Sequence, residues 1–399
     1  MRIHIPAGFL FSAAAAGIKA SGGCDLGYAE APAGAAAAAV FTRNRVVAAP
    51  VEVGRDHLHR SGGRVRALIV NSGNANCATG AAGRRAAEGA CRELAKRLKV
   101  PAREVLPSST GIIGVPFPAE KLVAALPRLL ADKGDDEAAV RRFAGAIMTT
   151  DTRPKIASLA LAEVSAGRPA GACVLGIAKG SGMIAPHLAT MLAYVFTDVA
   201  ATPRELQRLL PAACAATFNC ISVDHDTSTN DTVLLLASGR SGVPLRAVRK
   251  SLAAALTFVC GSLAEQIVSD GEGVKHVARL HIEGARSRRE ALCVARSIAG
   301  SLLVKTALAG ADPNWGRILA AAGYSGVNLD PRRINIFIGP QQVCRQGEAR
   351  PFDPAAAHAC LLQPSYDLRV QLGRGQAAVE FLTTDLTEQY VRINAEYST

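Results

Sequence analysis

Four short stretches carry unbroken apolar cores: RALIVN (66–71), GACVLGIA (171–178), MLAYVF (191–196) and DTVLLLAS (231–238). Runs of this length suit strands buried on both faces. Such strands need cover on both sides, which constrains the fold more than any other feature of the chain. Helical patterns lie between them. Residues 82–98 place Cys91, Leu94 and Leu98 on one face, and PAEKLVAALPRLLADK and DEAAVRRFAGAIM read as two further helices. Thr202-Pro203-Arg204-Glu205 is a helix start, with an N-cap, Pro at the first position and Glu at the third. LRAVRKSLAAALTFVCGSLAEQIVS is a long helix. IASLALAEV, HVARLHIEG, RINIFIG, YDLRVQL and QAAVEFL read as more strands, with turns expected at Gly167-Arg168-Pro169 and, joining the last pair, at Gly373-Arg374-Gly375. The pattern is mixed α/β, with apolar sheets under helical cover.

With 399 residues, 49% hydrophobic, the chain can bury a large core. The net charge of +12 is scattered and not interleaved with aromatics, which argues against a nucleic-acid platform and is compatible with anionic small substrates. Ten cysteines form no C-x-x-C pair and sit among Ala, Val and Leu, as expected of reduced, buried thiols. His57 and His59 lack companions for a metal site and read as two solvated histidines. No unbroken apolar run reaches the roughly 18 residues of a membrane span. The start MRIHIPAGFLFSAAAAGIKA has some character of a signal peptide, but Pro6 and Gly8 interrupt it, and a mature cytoplasmic start is expected.

Gly180-Ser181-Gly182-Met183-Ile184-Ala185 fits a loose dinucleotide fingerprint, yet Pro186 falls where the helix should run. P-loop and nucleophile-elbow motifs are missing. Thr190, at the edge of the 191–196 run, raises a chemical question. A threonine hydroxyl is a weak nucleophile without an adjacent base. Breaking the Ala189–Thr190 peptide bond would supply one, because an α-amine with a pKa of about 7.7–8.0 is partly unprotonated at neutral pH.

KGSGMIAPHLATMLAYVFTD (179–198) resembles the self-cleavage segment of the ornithine acetyltransferase family, the glutamate N-acetyltransferases of arginine biosynthesis. So do AAAAGIKASGGCDLGYAEA (13–31), VFTRN (40–44), NSGNAN (71–76), SSTGIIG (108–114), IMTTDTRPK (147–155), STNDTVLLLASG (228–239), GEGVKH (271–276), LVKTALAGADPNWGR (303–317) and the tail TTDLTEQYVRINAEYST, in family order. The resemblance implies an N-terminal-nucleophile-type α/β sandwich of β-sheets covered by helices. It implies a precursor that cuts itself into chains 1–189 and 190–399, assembled as an α2β2 heterotetramer, with no metal or organic cofactor. Thr190 would be the nucleophile and Thr110 and Gly111 the oxyanion donors. Thr149, Lys179, Glu272, Asn394 and Thr399 would contact substrate, Lys179 and Glu272 supplying charges of both signs. Asn74, Asn76, Asn230 and 312–317 are expected to act as scaffolding. The implied reaction moves an acetyl group from N-acetylornithine to glutamate; acetyl-CoA as a further donor stays open. His225, in VDHDTSTND, departs from the family pattern, where a small residue, usually glycine, is expected. Two other readings remain: an amide hydrolase on a similar fold, and a non-enzymatic basic binding protein.

Overall fold

The four apolar runs all become buried strands. In the computed structural model, which describes residues 3–20, 22–161, 171–185 and 191–396, the strands form two sheets. The first has the order Val105–Ile112, Arg64–Asn74, Leu26–Phe41, Thr232–Ala237, Leu192–Thr197, Cys173–Lys179 and Lys155–Ala160, with Leu10–Ala14 paired to Leu26–Phe41. The 16-residue strand Leu26–Phe41 loses register between Glu30 and Ala35. Its first half pairs with Arg64–Asn74 and its last six residues with Thr232–Ala237.

That break lets the sheet double over into two layers. Leu68 and Val70 from one layer share a core with Leu175, Ile177, Tyr194 and Phe196 from the other. Period-2 alternation sends the intervening side chains outward. Ala67 and Ile69 pack under the helices Gly80–Leu98 and Ala119–Ala131. Ala193, Val195, Val233 and Leu235 pack under Pro203–Ala216 and Leu245–Ser269. The expected sandwich of sheets covered by helices is the observed architecture. The helix at Pro203 starts with a full capping box between Thr202 and Glu205. Leu245–Ser269 is long and apolar enough to cross a membrane by length and composition. Here Leu252, Leu256, Val259 and Leu263 are fully buried in the core.

The second sheet has the order Glu348–Ala349, Gln341–Arg345, Asn335–Ile338, Ser365–Gln371, Val277–Ala285, Ala377–Thr384 and Ile221–Ser222. Helices Arg288–Ala299 and Trp315–Gly323 cover one face. The expected tight pairing of YDLRVQL with QAAVEFL is not what forms. Val277–Ala285 lies between them, parallel to one and antiparallel to the other. The Gly373–Gly375 turn passes over the end of that middle strand, where Arg374 and Gly375 both donate N–H to the Gly284 carbonyl. Glycine spacing marks such a turn but does not say what the turn crosses. The turn expected at 167–169 lies outside the described residues.

Candidate active site

Strand pairing gathers four segments at one end of the doubled sheet. Lys179 pairs with Leu192, Leu192 with Thr232, and Thr232 with Phe41. Asn230 joins this end to the other layer: its side-chain amide donates to the carbonyls of Ala75 (2.7 Å) and Ser109 (2.9 Å). A cavity of about 210 Å³ opens at this seam. Thr110, Gly111, Thr149, Lys179, Glu272 and Asn394 all line it. Ala189, Thr190 and Thr399 lie outside the described residues. Met191, next after Thr190, is held on both sides. Its N–H donates to Asp231 Oδ1 at 3.1 Å and its carbonyl accepts from Thr232 N–H at 3.2 Å.

Thr110 and Gly111 lie in the last three residues of the strand Val105–Ile112, where it runs parallel to Arg64–Asn74. Gly111 has φ +131°, and a Cβ there would stand 2.3 Å from the Gly73 carbonyl carbon. Only glycine fits, and its backbone is thereby exposed to the cavity. Glu272 is placed by a second close approach. A Cβ on Gly182 would meet the Glu272 carboxylate at 2.3 Å, and Asn394 Nδ2 donates to Glu272 Oε2 at 2.9 Å. Asn394 and Tyr390 reach the cavity from the helix Glu388–Glu396, so a segment near the C-terminus closes one wall.

Read singly, Lys179 and Glu272 look like solvated charges, yet both are buried. Their burial is compensated by a network that sequence reading missed. Asp151 accepts N–H from Thr149 (3.0 Å) and Gly180 (2.7 Å) and pairs with Lys155 at 2.6 Å; Lys179 Nζ lies 3.9 Å away. Lys155, fully buried, also pairs with Asp270 at 2.6 Å. Burial alone would raise the Asp151 carboxyl, but Lys179, Lys155 and the Gly180 N–H bring it down to about 2. Burial pushes Lys179 below the ordinary lysine range, against the pull of Asp151. The two lysines and Asp151 set the electrostatics of the inner wall.

Asp224, Asp226, Ser228, Thr229, Asn230 and Tyr390 also line the cavity, and the sequence points only to Asn230 among them, as scaffolding. Between the two aspartates, His225 adopts φ +72°. This left-handed conformation is the physical reason glycine is expected there. His57 differs from its expected solvated state: it is buried, with Nδ1 2.8 Å from the Val105 carbonyl oxygen.

The family model described as ArgJ matches residues 10–399. The chain belongs to the ArgJ family. Among its relatives, the arginine biosynthesis bifunctional protein ArgJ of Methylococcus capsulatus is 46% identical, covering 98% of this chain and 96% of that one. The ArgJ protein of Thermus thermophilus is 45% identical, covering all of both chains. A solved ArgJ chain from Bacillus halodurans is 41% identical with a TM-score of 0.50. The match covers 98% of that ArgJ chain but 51% of this one.

Proposed function

We propose that this ArgJ family member is an ornithine acetyltransferase of arginine biosynthesis, moving the acetyl group of N2-acetyl-L-ornithine to L-glutamate through an acetyl-threonine intermediate. One observation carries the reading. Thr110, Gly111, Thr149, Lys179, Glu272 and Asn394 come from separate segments yet line a single cavity at the seam where Lys179 pairs with Leu192. The half-length Bacillus halodurans chain, matched almost end to end, supports a mature chain about half as long as this one.

In this reading Thr190 Oγ first attacks the Ala189 carbonyl. The C–N bond breaks, the nitrogen becomes the Thr190 α-amine, and water opens the ester to give chains 1–189 and 190–399. In the transfer itself, Oγ attacks the acetyl carbonyl of acetylornithine. The α-amine takes the hydroxyl proton and delivers it to the leaving ornithine nitrogen. Thr110 and the Gly111 N–H face the oxygen that becomes negative, where one such donor is commonly worth about 10²–10³ in rate. The glutamate amine then attacks the acetyl ester, and Oγ leaves with a proton. Lys179 meets the α-carboxylate of the amino-acid substrate and Glu272 stands by its α-nitrogen, with Thr149, Asn394 and Thr399 completing the contacts. The mature form is an α2β2 heterotetramer in the cytoplasm. Acetyl-CoA, as a second donor, would serve the bifunctional role named in the relatives.

Denaturing mass measurement with N-terminal sequencing tests the reading. Two chains are expected, the second beginning Thr-Met-Leu-Ala-Tyr, and Thr190→Ala should stay uncut and inactive. An intact wild-type chain with full transfer activity rules it out, because the α-amine would then be locked in an amide. Hydrolysis of acetylornithine without acetylation of glutamate would point instead to the amide hydrolase.

A further inference from the structure

The acetyltransferase reading leaves a problem of charge. The donor ends in a side-chain ammonium and the acceptor in a side-chain carboxylate, and a ping-pong enzyme admits both to one cavity. Among the described residues, the lining carries one lysine, Lys179, and three carboxylates, Asp224, Asp226 and Glu272.

Two of those carboxylates are engaged. Asp224 Oδ2 accepts the Met183 N–H at 2.5 Å, and Oδ1 accepts those of Ile184 at 2.7 Å and Asp226 at 3.2 Å. Tyr390 also lies beside Asp224 on the cavity wall. Glu272 is buried and takes the Asn394 amide. Asp226 is different. It is exposed, and its carboxylate makes no hydrogen bond or ion pair among the described residues. Its backbone is nevertheless fixed. The Asp226 N–H is held by Asp224, and the neighbouring Thr227 carbonyl accepts Asn44 Nδ2 at 2.9 Å. A held backbone therefore presents a free carboxylate to the cavity from its solvent side, opposite in character to the buried Lys179.

We propose that Asp226 is the specificity-determining residue for the substrate's side-chain charge, pairing with the terminal ammonium of acetylornithine and opposing the side-chain carboxylate of glutamate. This rests on the acetyltransferase reading. Lys179 attracts the α-carboxylate that both substrates share, so it cannot separate them. Asp226 can, because its charge has opposite effects on the two tails. Exposure limits the effect, since water and salt screen a pair at the surface.

The test is Asp226→Asn, with kcat/KM measured for each substrate, which ping-pong kinetics keeps independent. The value for acetylornithine should fall about 3- to 10-fold, and that for glutamate should hold or rise. The loss with acetylornithine should shrink as salt is added. Asp226→Glu keeps the charge and should keep the wild-type ratio, whereas Asp226→Lys should shift it further toward glutamate. Equal losses with both substrates, or an unchanged ratio in Asp226→Lys, overturn the proposal. A wild-type chain that neither cuts itself nor transfers acetyl would fail earlier, at the functional reading.

Discussion

Asp231 Oδ1 accepts the N–H of Met191, the residue next after Thr190, at 3.1 Å, and the carboxyl is almost wholly buried. Burial pushes this carboxyl well above its ordinary range. Its other oxygen has no hydrogen-bond partner among the described residues. Asp231→Ala would strand a buried N–H, at a cost of about 1–3 kcal/mol, and loosen the start of the strand Leu192–Thr197. We expect the cut to slow by at least about 10-fold, read as the rate at which the two fragments form in a denaturing mass measurement. Asp231→Asn is uncharged and keeps an acceptor, so it should cut at close to the wild-type rate. A wild-type rate in Asp231→Ala would show that the contact does not matter to cleavage.

Gly182 and Glu272 give a second test. A methyl at 182 would displace the Glu272 carboxylate, which lies 2.3 Å from where the backbone would place that carbon. Gly182→Ala should therefore resemble Glu272→Ala: KM rises about 10-fold or more, with fold and cleavage largely kept, since a lost ionic hydrogen bond costs roughly 1.5–3 kcal/mol. Lys179→Ala should also weaken substrate use. Steady-state kinetics beside thermal unfolding distinguishes these effects from misfolding.

Asp224 sets a pH dependence. Burial raises its carboxyl to about 6, despite N–H bonds from Asp226, Met183 and Ile184. Tyr390, Asp226 and Lys305 are the other titratable groups around it. Because the folded pKa lies above the unfolded value of 3.8, the unfolded state holds fewer protons between the two. This group's contribution to stability therefore falls as pH rises from about 4 to about 6 and is constant above. Activity should show the reverse trend. The ionised carboxylate accepts every N–H that faces it, while a protonated one turns a donor toward donors. An acid limb with a midpoint near 6 is expected in kcat/KM. Asp224→Asn, which always carries a donor there, should be weak at all pH and lack that limb.

Local chemistry made much of the fold legible. The apolar runs became strands, and Thr202 and Glu205 became a capping box, because these depend on residues close together in sequence. What needed the third dimension stayed hidden. Lys155 and Asp270 are 115 residues apart, and no spacing rule pairs them. Val277–Ala285 enters between two strands that looked like neighbours, because sheet order follows packing and not adjacency along the chain. Asp224 and Asp226 flank His225, which departs from the family pattern, but their approach to the cavity depends on where their loop docks.

The register of Lys179 with Leu192 has a mechanical consequence. Cys173–Lys179 and Leu192–Thr197 are bonded side by side along their length, and Thr232–Ala237 and Lys155–Ala160 flank them within the same sheet. A break between residues 179 and 192 leaves this lattice of hydrogen bonds whole. The two pieces would remain threaded through one core, inseparable except by denaturation. Each would depend on the other for its shape, so that either piece made alone should be unable to reach it.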